Sequence, residues 1–195
     1  MGIDPAPFWA NLYLYSYEKD YIMSIMSSDT KKARKFKHAS RFIDDQGNLN
    51  DGGEFGRVCH TIYPNELQLK CEHQGNRATF LDMEIEIVEG QFIYKLYDKR
   101  DSFPFHIVRM PDLNANIPDH IFYGSFLAEV LRICRATLLY KDFAPRVKDI
   151  YIRMKNQGGT KEKLNREFKK LFNKYSELFS KFNKNADTIL LEISH

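Results

Sequence analysis

Two adjacent carboxylates, Asp44 and Asp45, are the residues whose type and spacing most invite chemistry in this chain. They close a short mixed segment, Ala39 to Ile43, and Gly47 and Asn48 follow them. The pattern predicts a strand, a tight turn at the two acids, and a return strand or loop. Side-by-side carboxylates repel each other, and at least one cannot point into a core without a cation or a donor. A turn between strands can hold both near one divalent ion. Mg²⁺ takes oxygen ligands and often keeps waters and substrate phosphates in its shell. Two such ions can clamp an attacking hydroxyl and a transferred phosphate. The plainer reading of such a pair is an exposed turn cap.

No other cluster competes with it. His38, His60, His73, His106, His120 and His195 show no zinc-ligand or nucleophile-activating pattern, and no phosphate loop or dinucleotide fingerprint is present. Cys59, Cys71 and Cys134 are odd in number and widely spaced, which predicts free thiols in a reducing compartment and no disulfide-linked partner. No apolar run approaches the roughly 18 residues of a membrane span, and no signal peptide pattern opens the chain. An intracellular protein is expected, not a secreted or membrane one.

The chain of 195 residues suits one domain or one domain with a helical appendage. Its 15 Phe and 11 Tyr must fill much of the core. The net charge is +3, yet Lys141 to Lys184 carries 13 basic against 5 acidic residues. That surplus is either a solvated helical surface or an attraction for a phosphate backbone.

The elements that must position the acids follow from periodicity. Pro5 and Pro7 can start a helix, and Phe8 to Met26 carries aromatics on two faces, so cover on two sides is expected. Residues 27–37 read as a loop or helix end, and Phe55 to Ile62 has weak helical spacing. Leu67, Leu69 and Cys71 alternate with polar residues as in a strand. Thr79 to Ile87 alternates likewise, with Asp82, Glu84 and Glu86 on its wet face, and Glu89-Gly90 turns into a partner strand from Phe92 to Tyr97. Residues 101–118 form an irregular connector. Helices are expected at Phe122 to Tyr140, Val147 to Met154 and Glu162 to Phe182.

The run Arg41-Phe42-Ile43-Asp44-Asp45 resembles the signature turn of reverse transcriptases. The opening Gly2-Ile3-Asp4-Pro5-Ala6-Pro7-Phe8-Trp9-Ala10-Asn11-Leu12 looks like the loop and helix that precede that turn. Ile62-Tyr63-Pro64-Asn65-Glu66-Leu67, Ala78-Thr79-Phe80-Leu81-Asp82 and Leu96-Tyr97-Asp98-Lys99-Arg100-Asp101 with Phe103-Pro104-Phe105 extend the likeness. So do Ile117-Pro118, Tyr123-Gly124, Arg132 and Gln157-Gly158. Together they are similar to the Penelope-like class of retroelement reverse transcriptases, relatives of telomerase.

The resemblance implies an α+β fold: a partial polymerase palm, an antiparallel sheet with packed helices, over residues 1–110. A thumb-like helical module over 111–185 and a tail at 186–195 would follow. It implies an RNA-directed DNA polymerase acting on an RNA template and a DNA primer with Mg²⁺ or Mn²⁺, with the nucleus among the expected compartments. Asp44 would be the main metal carboxylate and Asp45 its companion. Phe42 would lie near the primer end or nucleotide sugar, and Gly2, Pro5, Ala6 and Pro7 would shape the nucleotide wall. Tyr97, Lys99 and Arg100 would grip the primer, with Lys163, Arg166 and Lys170 on the basic closing helix. Asp82 is not expected to be catalytic, because the family's other metal ligand comes from an upstream strand. That strand and the fingers would precede Met1, so the chain alone is expected to be inactive. Asp4 departs from the neutral residue usual there. The competing expectations are a non-catalytic nucleic-acid-binding protein and a decayed retroelement remnant.

Overall fold

The computed structural model describes residues 5–105, 107 and 110–194. Eight α-helices and five β-strands lie among these residues, in a mixed α+β order. The chain divides into two compact units, one ending at Leu81 and one beginning at Asp82.

In the first unit, Pro5 precedes helix α1, Ala6–Ser28, with Pro7 in its first turn, where a missing N–H costs nothing. Asp29 ends it and caps α2, Thr30–Arg34, by accepting from the Lys32 amide at 3.0 Å. Strands β1, Ala39–Phe42, and β2, Asp45–Asn48, pair antiparallel, with Phe42 opposite Asp45. Asp51 then accepts from the Gly53 and Phe55 amides and starts α3, Glu54–Ile62. Strand β3 is Arg77–Phe80. A Cβ on Gly47 would stand 3.0 Å from the Phe80 ring, so only glycine lets that ring lie on β2 undisturbed.

Among the described residues, the expected cover on both sides of α1 is not found. Ile25 is the one buried residue of the helix, while Phe8, Trp9, Tyr13, Tyr15 and Met23 are more than half exposed. The unit offers a two-stranded hairpin and short helices, too little surface to enclose a helix of 23 residues. Leu67, Leu69 and Cys71 form no strand, although they alternate.

The second unit opens with an antiparallel hairpin of β4, Met83–Val88, and β5, Gln91–Leu96. Glu89 and Gly90 turn it with φ of 51° and 78°, the handedness that two-residue hairpins favour. The alternation from Thr79 is interrupted before β4, where Leu81 takes a φ of 53°. A 3₁₀ turn, Lys99–Ser102, leads into the irregular connector.

Five helices follow: α4, Asp119–Arg135; α5, Tyr140–Asn156; α6, Lys161–Lys174; α7, Ser176–Ser180; and α8, Ala186–Ile193. Phe122, Phe126, Val130, Phe143, Tyr151, Phe168, Phe179 and Ile189 are fully buried between them. Met83 and Leu96 of the hairpin join this core. The expected helix over 122–140 stops at Arg135, because the next residues serve β5: the Leu138 amide donates to the Tyr94 carbonyl at 2.9 Å and the Leu96 amide to Thr137 Oγ1 at 3.4 Å. Lys181 Nζ donates to the carbonyls of Cys134 and Thr137 at 2.5 and 2.7 Å, capping the end of α4. The expected helix over 162–182 breaks at Tyr175, and Phe182 stacks on Phe143 with centroids 4.4 Å apart. Residues 186–193, read as tail, form a helix that buries Ile189, Leu190 and Ile193. Gly159 packs where a Cβ would lie 2.8 Å from the Met154 carbonyl oxygen. No helix among the described residues is long and apolar enough to cross a membrane.

Glu54 meets Lys32, Lys35 and Arg57 at 3.4, 3.2 and 3.1 Å. Hydrogen bonds from Arg57 and then Lys35 hold its carboxyl at about 2, against an ordinary 4.5. A depressed carboxylate contributes stability that is present above its unfolded value and lost as pH falls through its folded one. Denaturation titrations should therefore show this contribution fading as the pH drops from about 4.5 towards about 2, and Glu54→Gln should flatten that window.

Candidate metal-binding hairpin

The two acids sit on a hairpin whose loop is Ile43 and Asp44, because Phe42 and Asp45 are its last paired residues. Ile43 takes a φ of 54°, a left-handed conformation that costs a side chain about 1–2 kcal/mol. Such strain on a β-branched residue persists only where the surroundings impose it. Asp44 and Asp45 are both exposed, and neither carboxylate meets a donor or cation among the described residues.

The surroundings act through Arg41. Its Nε donates to Glu18 Oε1 at 2.7 Å, and its Nη1 and Nη2 donate to the side-chain and main-chain oxygens of Asn11 at 2.6 and 2.9 Å. Nη1 also reaches the Ile43 carbonyl at 3.5 Å. The Tyr63 hydroxyl, at the end of α3, donates to the same Glu18 oxygen at 2.7 Å. Burial, with the Glu18 carboxylate beside it, pushes the Tyr63 hydroxyl above its ordinary range. The Arg41 side chain is only 11% exposed. One guanidinium thus binds the hairpin to α1 and steadies the loop before Asp44.

Asn11 and Tyr63 stood within the runs that carry the resemblance but were given no role, and Glu18 was not singled out from sequence. The available signal was Asn11 and Glu18, polar residues two turns apart on one face of an aromatic helix. Phe42 ends β1 with its ring more than half exposed. Pro5 caps α1 and Ala6 and Pro7 form its first turn, ahead of Asn11, whereas Gly2 and Asp4 fall outside the described residues.

Asp44 and Asp45 are hard oxygen donors of the kind Mg²⁺ and Mn²⁺ take. Among the described residues, no group of three or more His, Cys, Asp or Glu side chains is placed to hold a metal. The pair fits part of a two-ion site and does not complete one.

The basic candidates belong to the second unit. Tyr97 is half-buried at the end of β5, and its amide donates to the Asp82 carbonyl at 2.8 Å. Lys99 is exposed, but Arg100 is forked onto the buried carboxylate of Asp98 at 2.8 and 2.7 Å. Lys163 reaches Asp119 at 2.5 Å and lies over the Tyr123 ring, while Arg166 and Lys170 share Glu167 at 3.3 and 2.9 Å. Exposed pairs of this kind are weak. Asp82 pairs with Arg132 at 3.1 Å, and Glu84 with its cross-strand neighbour Lys95 at 3.2 Å. Lys141 and Lys155 stand exposed and Lys148 half-buried along one line of α5, and none of the three meets a carboxylate among the described residues.

No protein-family model, no curated protein and no solved structure matches this chain.

Removing one partner of a half-buried ion pair strands the other, at a cost of about 2 kcal/mol here. Arg41→Met should therefore speed amide exchange across β1 and β2 by roughly thirtyfold, while the amides of α4 to α6 exchange unchanged. Hydrogen exchange read by mass spectrometry or NMR measures both.

Proposed function

We propose that this chain is part of an RNA-directed DNA polymerase akin to the Penelope-like reverse transcriptases, comprising a partial palm and a helical thumb. The observation that carries the reading is the form of the signature run. Phe42-Ile43-Asp44-Asp45 makes a two-residue hairpin turn with a strained loop, docked through Arg41 to the opening helix. An adventitious turn cap needs neither the strain nor the clamp.

In the complete enzyme a primer 3′-hydroxyl attacks the α-phosphate of a deoxynucleotide, and pyrophosphate leaves. Asp44 and Asp45 would hold Mg²⁺ or Mn²⁺, which supplies charge neutralisation at the phosphates. Phe42, exposed beside them, offers a flat surface to a sugar or primer end. Since the two carboxylates are joined by no third ligand among the described residues, the chain by itself binds an ion weakly and does not polymerise.

Two measurements test this. Mn²⁺ titrated into the labelled chain should broaden the amides of residues 42–46 first, and Asp44→Asn should remove that order. Primer extension on an RNA template with Mg²⁺ or Mn²⁺ should give no product. Broadening that begins elsewhere and ignores Asp44 would defeat the metal assignment; robust synthesis would defeat the incompleteness.

A non-catalytic nucleic-acid-binding role is favoured by the stripe on α5. Lys141, Lys148 and Lys155 recur every seven residues, two helical turns and roughly 10 Å apart. Each phosphate neutralised steepens the salt dependence of binding by about 0.9 on logarithmic axes. Replacing all three by Glu should flatten the salt slope for an RNA–DNA duplex by about 3, read by filter binding across salt concentrations.

A further inference from the structure

Helix α1 carries a line of side chains that its own unit leaves open. Phe8, Leu12, Tyr15, Lys19, Met23 and Met26 are spaced by four, three, four, four and three residues, and all six are exposed. At about 100° per residue they fall within an arc of about 80°. The line lies about a quarter turn from Asn11, Glu18 and Ile25, which face the unit. The first two bind Arg41, and Ile25 is buried.

The five apolar members of the line are each roughly half exposed. Large side chains carry roughly 150–250 Å² each, so the line offers on the order of 600 Å². Two copies laid face to face would cover about 1,200 Å², the lower edge of a stable and specific interface.

The one charge in the line selects the arrangement. In a parallel pair Lys19 would stand against its own copy within an apolar seam, where like charges repel. An antiparallel pair has its twofold axis across α1 near residue 17. Phe8 then faces Met26, Leu12 faces Met23, and Lys19 faces Tyr15. The ammonium lies over an aromatic ring, and the Met26 sulfur meets another. Symmetry makes each contact twice, as a self-complementary interface requires. The line is complementary to itself when reversed, and this names a second copy as its occupant.

We propose that α1 is the face on which two copies of this chain associate, antiparallel, through the line from Phe8 to Met26. The contact is independent of the polymerase reading.

Sedimentation velocity on the intact chain should show a monomer–dimer equilibrium with a Kd on the order of 10 µM, in keeping with so small an interface. Trp9, the only tryptophan of the chain, is exposed beside the line. Its emission should move to the blue as the concentration rises through that Kd. Leu12→Asp, at an exposed position outside the core, should weaken the dimer roughly thirtyfold, whereas Ser24→Asp, on another face of α1, should leave it unchanged. Should Leu12→Asp disturb folding, Met23→Lys serves in its place. Orientation is read by a short bis-maleimide in a background of Cys59→Ser and Cys71→Ser. A chain carrying Phe8→Cys, mixed with one carrying Met26→Cys, should link position 8 to position 26 in preference to position 8 to itself. A chain still monomeric at about 100 µM, one that grows into larger assemblies, a dimer indifferent to these substitutions, or a preference for the 8-to-8 link overturns the proposal.

Discussion

The half-buried Arg41 guanidinium is the constraint on which the first unit depends. An isolated two-stranded hairpin is marginal in water, and β1–β2 has only four residue pairs. It is made definite by being tied to something longer. Arg41 does this with a planar fork that reaches a carboxylate, a side-chain amide, a helix carbonyl and the loop's own carbonyl. A lysine ammonium carries its charge at one point and lacks the fork. Because Tyr63 donates to the same Glu18 oxygen, α1, the hairpin and the end of α3 converge on one acid. The placement of Asp44 and Asp45 is a by-product of that convergence.

The two units are stabilised by different physics. The second buries a contiguous set of aromatic and aliphatic side chains, and its hairpin is extended by backbone hydrogen bonds to the segment after α4. The first buries few side chains, holds its hairpin through polar contacts, and leaves a line of aromatics on α1 in contact with water. A cavity behind the hairpin belongs to the same thinly packed region.

Much of the fold was legible because its signals are local. A hairpin at the two acids, the Glu89-Gly90 turn, α1 and the helical character after Pro118 all follow from turn residues and periodicity, although the first turn falls one residue earlier than expected, on Ile43 and Asp44. What could not be read depended on partners distant in sequence. The end of α4 is set by the needs of β5, and the break at Tyr175 accompanies the stacking of Phe182 on Phe143. Leu67, Leu69 and Cys71 have strand spacing but no neighbouring strand to bond to. The acids of the candidate site were visible as a pair. The clamp was not, because Arg41 lies 23 and 30 residues from the groups it binds.

The Lys181 cap has a consequence for the order in which the protein can be made. The α4 carbonyl it satisfies lies 47 residues earlier in the chain. On a translating ribosome that helix end must wait, frayed and hydrated, until Lys181 has cleared the exit tunnel. The Arg41 clamp is complete once Tyr63 has emerged. The nascent chain can therefore settle its first unit while the second is still being synthesised, and the long interval before the cap arrives is when the aromatic core of the helices is most open to misassembly.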